Sequence, residues 1–176
     1  MKKLLFWNGV VSLLAGYVMV MRFPVLVPPH AIAANANAES IEKEIDYARA
    51  SKDISEILAR YHCGDDIRSL VSRSAVDYGV PSRLLAAQMV VESSCQPSIV
   101  SKAGAVGLLQ VMPNIWGYAR RDLQDPEYNV RAGTHILAAN IRRYGQRDGL
   151  RHYFGVTEDS TASDEYADKV IQVARK

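Results

Sequence analysis

Pro81-Ser82-Arg83-Leu84-Leu85-Ala86-Ala87-Gln88-Met89-Val90-Val91-Glu92 is the stretch whose reading decides the fold. Proline and serine open a helix readily, because the first-turn N–H groups have no intrahelical partner. From Leu84 to Val91 there is no charge, and Gln88 is the only strongly polar side chain. A helix that is apolar nearly all round belongs inside a protein. Upstream, Asp65-Asp66 offer a cap for a helix through about Tyr78, which Gly79 ends. Residues 39–60 read as an amphipathic lead-in helix, with Ile41, Ile45, Ala48, Ile54, Ile57 and Leu58 near helical spacing. The many charges among them favour a solvated face, with packing on the domain or on a partner as the other reading. Downstream, the glycine-rich Ala103-Gly104-Ala105-Val106-Gly107 leads into Leu108-Leu109-Gln110-Val111-Met112-Pro113. Asn129 is placed to cap a helix running to Tyr144, ended by Gly145. A short helix near 149–154 and a last one near 163–174 follow. No run alternates in the manner of a strand, so the class is all-α.

At 176 residues and roughly 150 residues per domain, the chain holds one domain with an appendage. Apolar residues make up 48% and charged ones 23%, which excludes a disordered, collagen-like or multi-span membrane protein. The net charge of +2 is unevenly placed. Residues 1–38 carry Lys2, Lys3 and Arg22 with no acidic residue, and the remainder holds 18 basic and 19 acidic residues. A body so near neutral has no general basic field for nucleic acid. Lys2 and Lys3 precede a largely apolar run from Leu4 to Met21, then come prolines and the small-residue stretch Ala31–Ala38. Charged start, apolar middle and small-residue end make residues 1–38 a secretory signal peptide. An uncleaved signal anchor is the rival, since about 18 residues can just span a bilayer. Either way the body is exported, to the periplasm or cell envelope, and meets a membrane only through this segment if it is uncleaved. Export permits a disulfide between Cys63 and Cys95; two buried thiols are the alternative. The spacing of cysteines and histidines offers no metal site.

Glu92 carries the chemistry. Burial disfavours its carboxylate, and so does the partial negative charge at a helix C-terminus. A glutamate so placed stays protonated near neutral pH and can act as a general acid. A side chain solvated just past the helix end is the opposing expectation.

Glu92-Ser93-Ser94-Cys95-Gln96-Pro97 and Gly107-Leu108-Leu109-Gln110-Val111-Met112-Pro113, at this separation, resemble the soluble lytic transglycosylase family, lysozyme-like enzymes that cleave bacterial peptidoglycan. The resemblance runs from about Asp66 to the C-terminus and implies a lysozyme-like, goose-type helical domain with a substrate cleft over residues 63–176, behind a lead-in at 39–62. Asn129-Val130 with Gly133, and Tyr166 with Lys169-Val170, are similar to further family segments. His152-Tyr153-Phe154-Gly155 stands where the family carries Ala-Tyr-Asn-Ala-Gly, so Tyr153 keeps the aromatic and Phe154 replaces the asparagine. The resemblance implies that Glu92 protonates the MurNAc–GlcNAc bond and then, as a carboxylate, accepts the proton of the MurNAc C6 hydroxyl, giving a 1,6-anhydro product. Ser101, Gln110, Met112, Tyr153 and Tyr166 are the implied sugar contacts, and no cofactor is implied. Peptidoglycan glycan strands are the implied partner. The small exported enzymes of this kind that serve conjugation, secretion or pilus machines make such an apparatus a second one.

Two alternatives stay open at this level. A hydrolytic muramidase would need a second carboxylate, for which Asp122, Asp125 and Glu127 are candidates. The altered Tyr153-Phe154-Gly155 segment allows instead a catalytically impaired wall-binding component of an envelope-spanning machine.

Overall fold

A computed structural model describes residues 29–155 and 161–176, with side chains from residue 37 onward. The export segment expected at 1–38 lies outside them, except for helical backbone from Pro29 and the side chains of Asn37 and Ala38. Seven α-helices are described: α1 (Pro29–Arg60), α2 (Asp65–Tyr78), α3 (Ser82–Ser93), α4 (Pro113–Trp116), α5 (Pro126–Tyr144), α6 (Gln146–Phe154) and α7 (Thr161–Ala174), with a 3-10 turn at Asp122–Gln124. There is no strand among the described residues. Isolated bridges join Val100 to Val106 and Val106 to Val111. The protein is therefore all-α. None of its described helices is long and apolar enough to cross a membrane.

Residues 37–176 form one compact unit. α3 is its centre: Leu84 to Val90 are all buried, as an uncharged helix requires. α2 and α7 pack on it, and α5 packs against α2 and α6. The core gathers Val71, Leu85, Met89, Leu109, Leu137, Leu150 and Val170.

Three expectations are corrected. α1 begins at Pro29, not residue 39, because the alanine-rich stretch before Glu39 suits a helix. Its last turns are also not a solvated face, since Ile54, Ile57 and Leu58 are buried in the core, while Ile41 and Ile45 stay exposed. The charges sit on the other sides of the same helix. Nor is Asn129 the cap of α5. The carboxylate of Asp125 accepts from the Tyr128 amide at 2.7 Å, with Pro126 in the first turn behind it.

Asn129, fully buried one turn further in, instead braces the glycine-rich loop. Its Oδ1 accepts from the Leu109 amide (2.9 Å), and its Nδ2 donates to the carbonyls of Val106 (2.8 Å) and Leu123 (3.0 Å). Gly107, at φ +75°, lies so close that a Cβ there would collide with the Asn129 amide. Gly133, one turn along α5, admits Leu109 and the Tyr153 hydroxyl; a Cβ would lie 2.9 Å from that oxygen.

Candidate active site

Glu92 occupies the last turn of α3 and is partly buried. Directly after the helix, Ser94 and Cys95 both take left-handed backbone, at φ +50° and +63°. Such conformations are costly for residues with a Cβ. Cys95 is joined to Cys63, with Cα atoms 5.6 Å apart, so the chain end of α3 is tied to the segment just after α1. Cross-linking across a sequence separation of 32 stabilises by about 3–4 kcal/mol on the chain-entropy model.

Among the described residues the Glu92 carboxyl receives one hydrogen bond, from the Tyr166 hydroxyl of α7 at 2.5 Å. Burial raises its pKa from the ordinary 4.5 to about 7, against the opposing pull of that hydrogen bond and of the Lys169 ammonium. The carbonyls at the end of α3 add their own disfavour to the anion. Burial and the neighbouring carboxyl push the Tyr166 hydroxyl well above its usual range, so it stays a neutral donor. Glu92 thus has a proton to give near neutral pH, and one held donor to steady the carboxylate afterwards.

The other expected site residues fall into different roles. Tyr153 is buried and donates to the Leu109 carbonyl at 2.7 Å, so it holds the loop to the helices. Its phenol is also raised, by burial first and then by Glu92. Gln110, at φ +45°, donates its amide to the Gly107 carbonyl (2.9 Å) and the Ile99 carbonyl (3.3 Å), closing its own loop. The Ser101 hydroxyl accepts from the Ala105 amide at 3.0 Å. Met112 is half-buried and immediately precedes α4. Of these residues, Tyr166 is the one hydrogen-bonded to Glu92. Among the alternative second carboxylates, Asp125 is occupied as a helix cap and Asp122 lies 3.4 Å from Arg121.

Three neighbours were not among the expected contacts. Lys169 was read as part of a family segment, without a role beside the acid. Phe154 stacks on the Tyr166 ring, centroids 4.9 Å apart and planes at 28°. Gln88, one turn before Glu92, is fully buried and close enough to the Tyr166 hydroxyl to favour its ionisation, yet neither side-chain polar atom has a well-formed hydrogen bond among the described residues. Its isolation in an apolar helix was the available signal. Two open clefts are lined by other residues, one of about 370 Å³ between Tyr78, Tyr118, Tyr128 and His135, the other of about 410 Å³ along Ile41 and Ile45.

A buried helix thus brings a glutamate with a raised pKa to a hydrogen-bonding tyrosine, an arrangement able to give up a proton near neutral pH. The transglycosylase SLT domain model matches residues 69–157, half of the chain, and the protein belongs to that family. It is 30% identical over 107 residues to a transglycosylase of Enterobacteria phage PRD1, covering 58% of this chain and 40% of the phage protein. It is 40% identical over 81 residues to membrane-bound lytic murein transglycosylase C of Yersinia pestis (strain Pestoides F), covering 39% of this chain and 23% of that protein. The protein of that name from Yersinia pseudotuberculosis serotype O:1b gives the same figures. The aligned region thus spans between 23% and 40% of these relatives' lengths.

Proposed function

We propose that this protein is a peptidoglycan lytic transglycosylase acting in the cell envelope. Glu92 donates its proton to the oxygen between MurNAc and GlcNAc, and the C1–O bond breaks. The carboxylate left behind, steadied by Tyr166 and Lys169, takes the proton of the C6 hydroxyl on the same MurNAc. That oxygen bonds to C1 and closes the 1,6-anhydro ring. Proximity within one sugar makes a single carboxyl sufficient. The observation that carries the reading is the Tyr166-bonded Glu92 with its pKa raised to about 7. The names of the relatives support the substrate, and the membrane-bound relative supports the envelope. In this reading residues 63–176 form the catalytic domain, 39–62 its helical lead-in and 1–38 the export segment. Ser101, Gln110, Met112 and Tyr153 shape the sugar cleft.

Digestion of purified peptidoglycan followed by mass analysis tests this. Wild type should release anhydro-muropeptides, and Glu92→Gln should lose at least about 100-fold in rate while still binding the wall. Products with a reducing MurNAc end would instead establish hydrolysis, and equal lysis by the variant would remove Glu92 from the chemistry.

A further inference from the structure

Phe154 closes α6 and is 51% exposed. One face of its ring lies on Tyr166, so the surface it offers to solvent is the opposite face and the edge. Tyr166 is the residue that donates to Glu92, which puts the phenyl one ring away from the acid. Other apolar side chains are as exposed, among them Ile41 and Ile115, but no such packing ties them to the acid. The ledge is also held in place. Arg147 of α6 bonds Asp164 at 2.7 Å and Asp168 at 3.0 and 3.2 Å on α7, and Arg151 lies 3.1 Å from Asp164. Gly155, at φ +111°, then turns the backbone out of the helix.

A phenyl ring has no hydrogen-bonding group, so it cannot read a hydroxyl or an amide. It offers a flat apolar face, the complement of the C–H face of a pyranose, and it carries no charge to select for a peptide carboxylate. We propose that Phe154 is a specificity-determining residue of the cleft, on whose open face an N-acetylhexosamine ring stacks beside Glu92. The inference rests on the glycan-cleaving reading above.

The full chain and its Phe154→Leu, Phe154→Ala and Phe154→Trp variants should be compared on peptide-free glycan strands. Leucine keeps bulk against Tyr166 but lacks the aromatic face. Leu and Ala are expected to raise KM about tenfold with a much smaller change in kcat, while Trp restores KM. The alkaline limb of the pH profile should stay in place in the Leu variant, because the Tyr166–Glu92 hydrogen bond persists. An unchanged KM in the Leu variant, or an effect confined to kcat and the pH limb, would show that Phe154 merely props Tyr166 and would overturn the proposal. A second measurement needs no turnover: chitotetraose binding to Glu92→Gln should weaken about tenfold on adding Phe154→Leu. Equal binding, or no binding to Glu92→Gln at all, overturns the stacking role. Weakened binding combined with a wild type that releases no anhydro product would retain the stacking role and reject the catalytic reading.

Discussion

Asn129 and Glu92 are both polar side chains turned toward the interior, and they are treated in opposite ways. Asn129 uses its oxygen and its amide nitrogen in three hydrogen bonds, to Leu109, Val106 and Leu123. Glu92 has one donor, and burial raises its pKa more than that donor and Lys169 lower it. A buried polar group whose oxygen and amide protons are all engaged is scaffold, because desolvation has been repaid by geometry. One that is underserved is held away from its ordinary protonation state, and that reserve is what proton transfer needs. The family-like segments of the sequence carry both kinds, and burial alone does not separate them.

Removing Asn129 should give the largest loss of stability. Asn129→Ala leaves the Leu109 amide and the Leu123 carbonyl without their partner, and the Val106 carbonyl with the Val111 amide alone. At about 1–3 kcal/mol for each stranded group, several kcal/mol are lost, readable as a lower midpoint in urea. A loss under about 1 kcal/mol would mean that the loop finds other partners, and the contrast with Glu92 would fail.

Glu92 should behave in the reverse sense. Its folded pKa of about 7 lies above the unfolded 4.5. The folded state therefore binds the proton more tightly, and that contribution is fully present below pH 4.5 and is lost as pH rises through about 7. The shift corresponds to roughly 3 kcal/mol at most. Glu92→Gln should thus be more stable than wild type at pH 8, with the advantage shrinking toward pH 5. The same ionisation should switch off the acid, so kcat/KM falls above about pH 7. A stability difference that does not vary with pH would place the carboxyl in water.

The sequence made some of this legible and hid the rest for a definite reason. The buried α3, the helix ended by Gly79 and the glutamate at a helix end follow from local composition, and local composition is written in consecutive residues. The brace at Asn129 joins positions 20 and 23 residues apart, and nothing near Asn129 distinguishes a brace from a cap. Likewise Tyr153 and Tyr166 carry the same side chain in family-like segments. Only the packing of α6 against α7 sends one to the Leu109 carbonyl and the other to Glu92. The burial of Ile54, Ile57 and Leu58 was hidden by charges on the rest of α1.

The two tyrosines offer a finer comparison. Tyr166→Phe removes the hydrogen bond that holds the Glu92 pKa down, so the alkaline limb of kcat/KM should move upward. Tyr153→Phe strands the Leu109 carbonyl, costing about 1 kcal/mol of stability, and should leave that limb in place. Equal shifts of the limb in both variants would erase the division of labour between them.

Gln88 gives the smallest effect and the sharpest check. Its amide is enclosed beside Tyr166, and neither polar atom has a well-formed hydrogen bond among the described residues. It therefore resembles Glu92 in being underserved but, unlike Glu92, has no proton to transfer at neutral pH. Gln88→Met replaces it with an apolar chain of similar shape that adapts to its surroundings. Because an unpaired buried amide is a cost and not a contribution, the variant should gain up to about 1 kcal/mol in a thermal or urea melt. The alkaline limb should stay where it is, since no hydrogen bond to the acid is lost. A variant that melts earlier would mean that Gln88 is partnered in solution, and it would then belong with Asn129 rather than with Glu92.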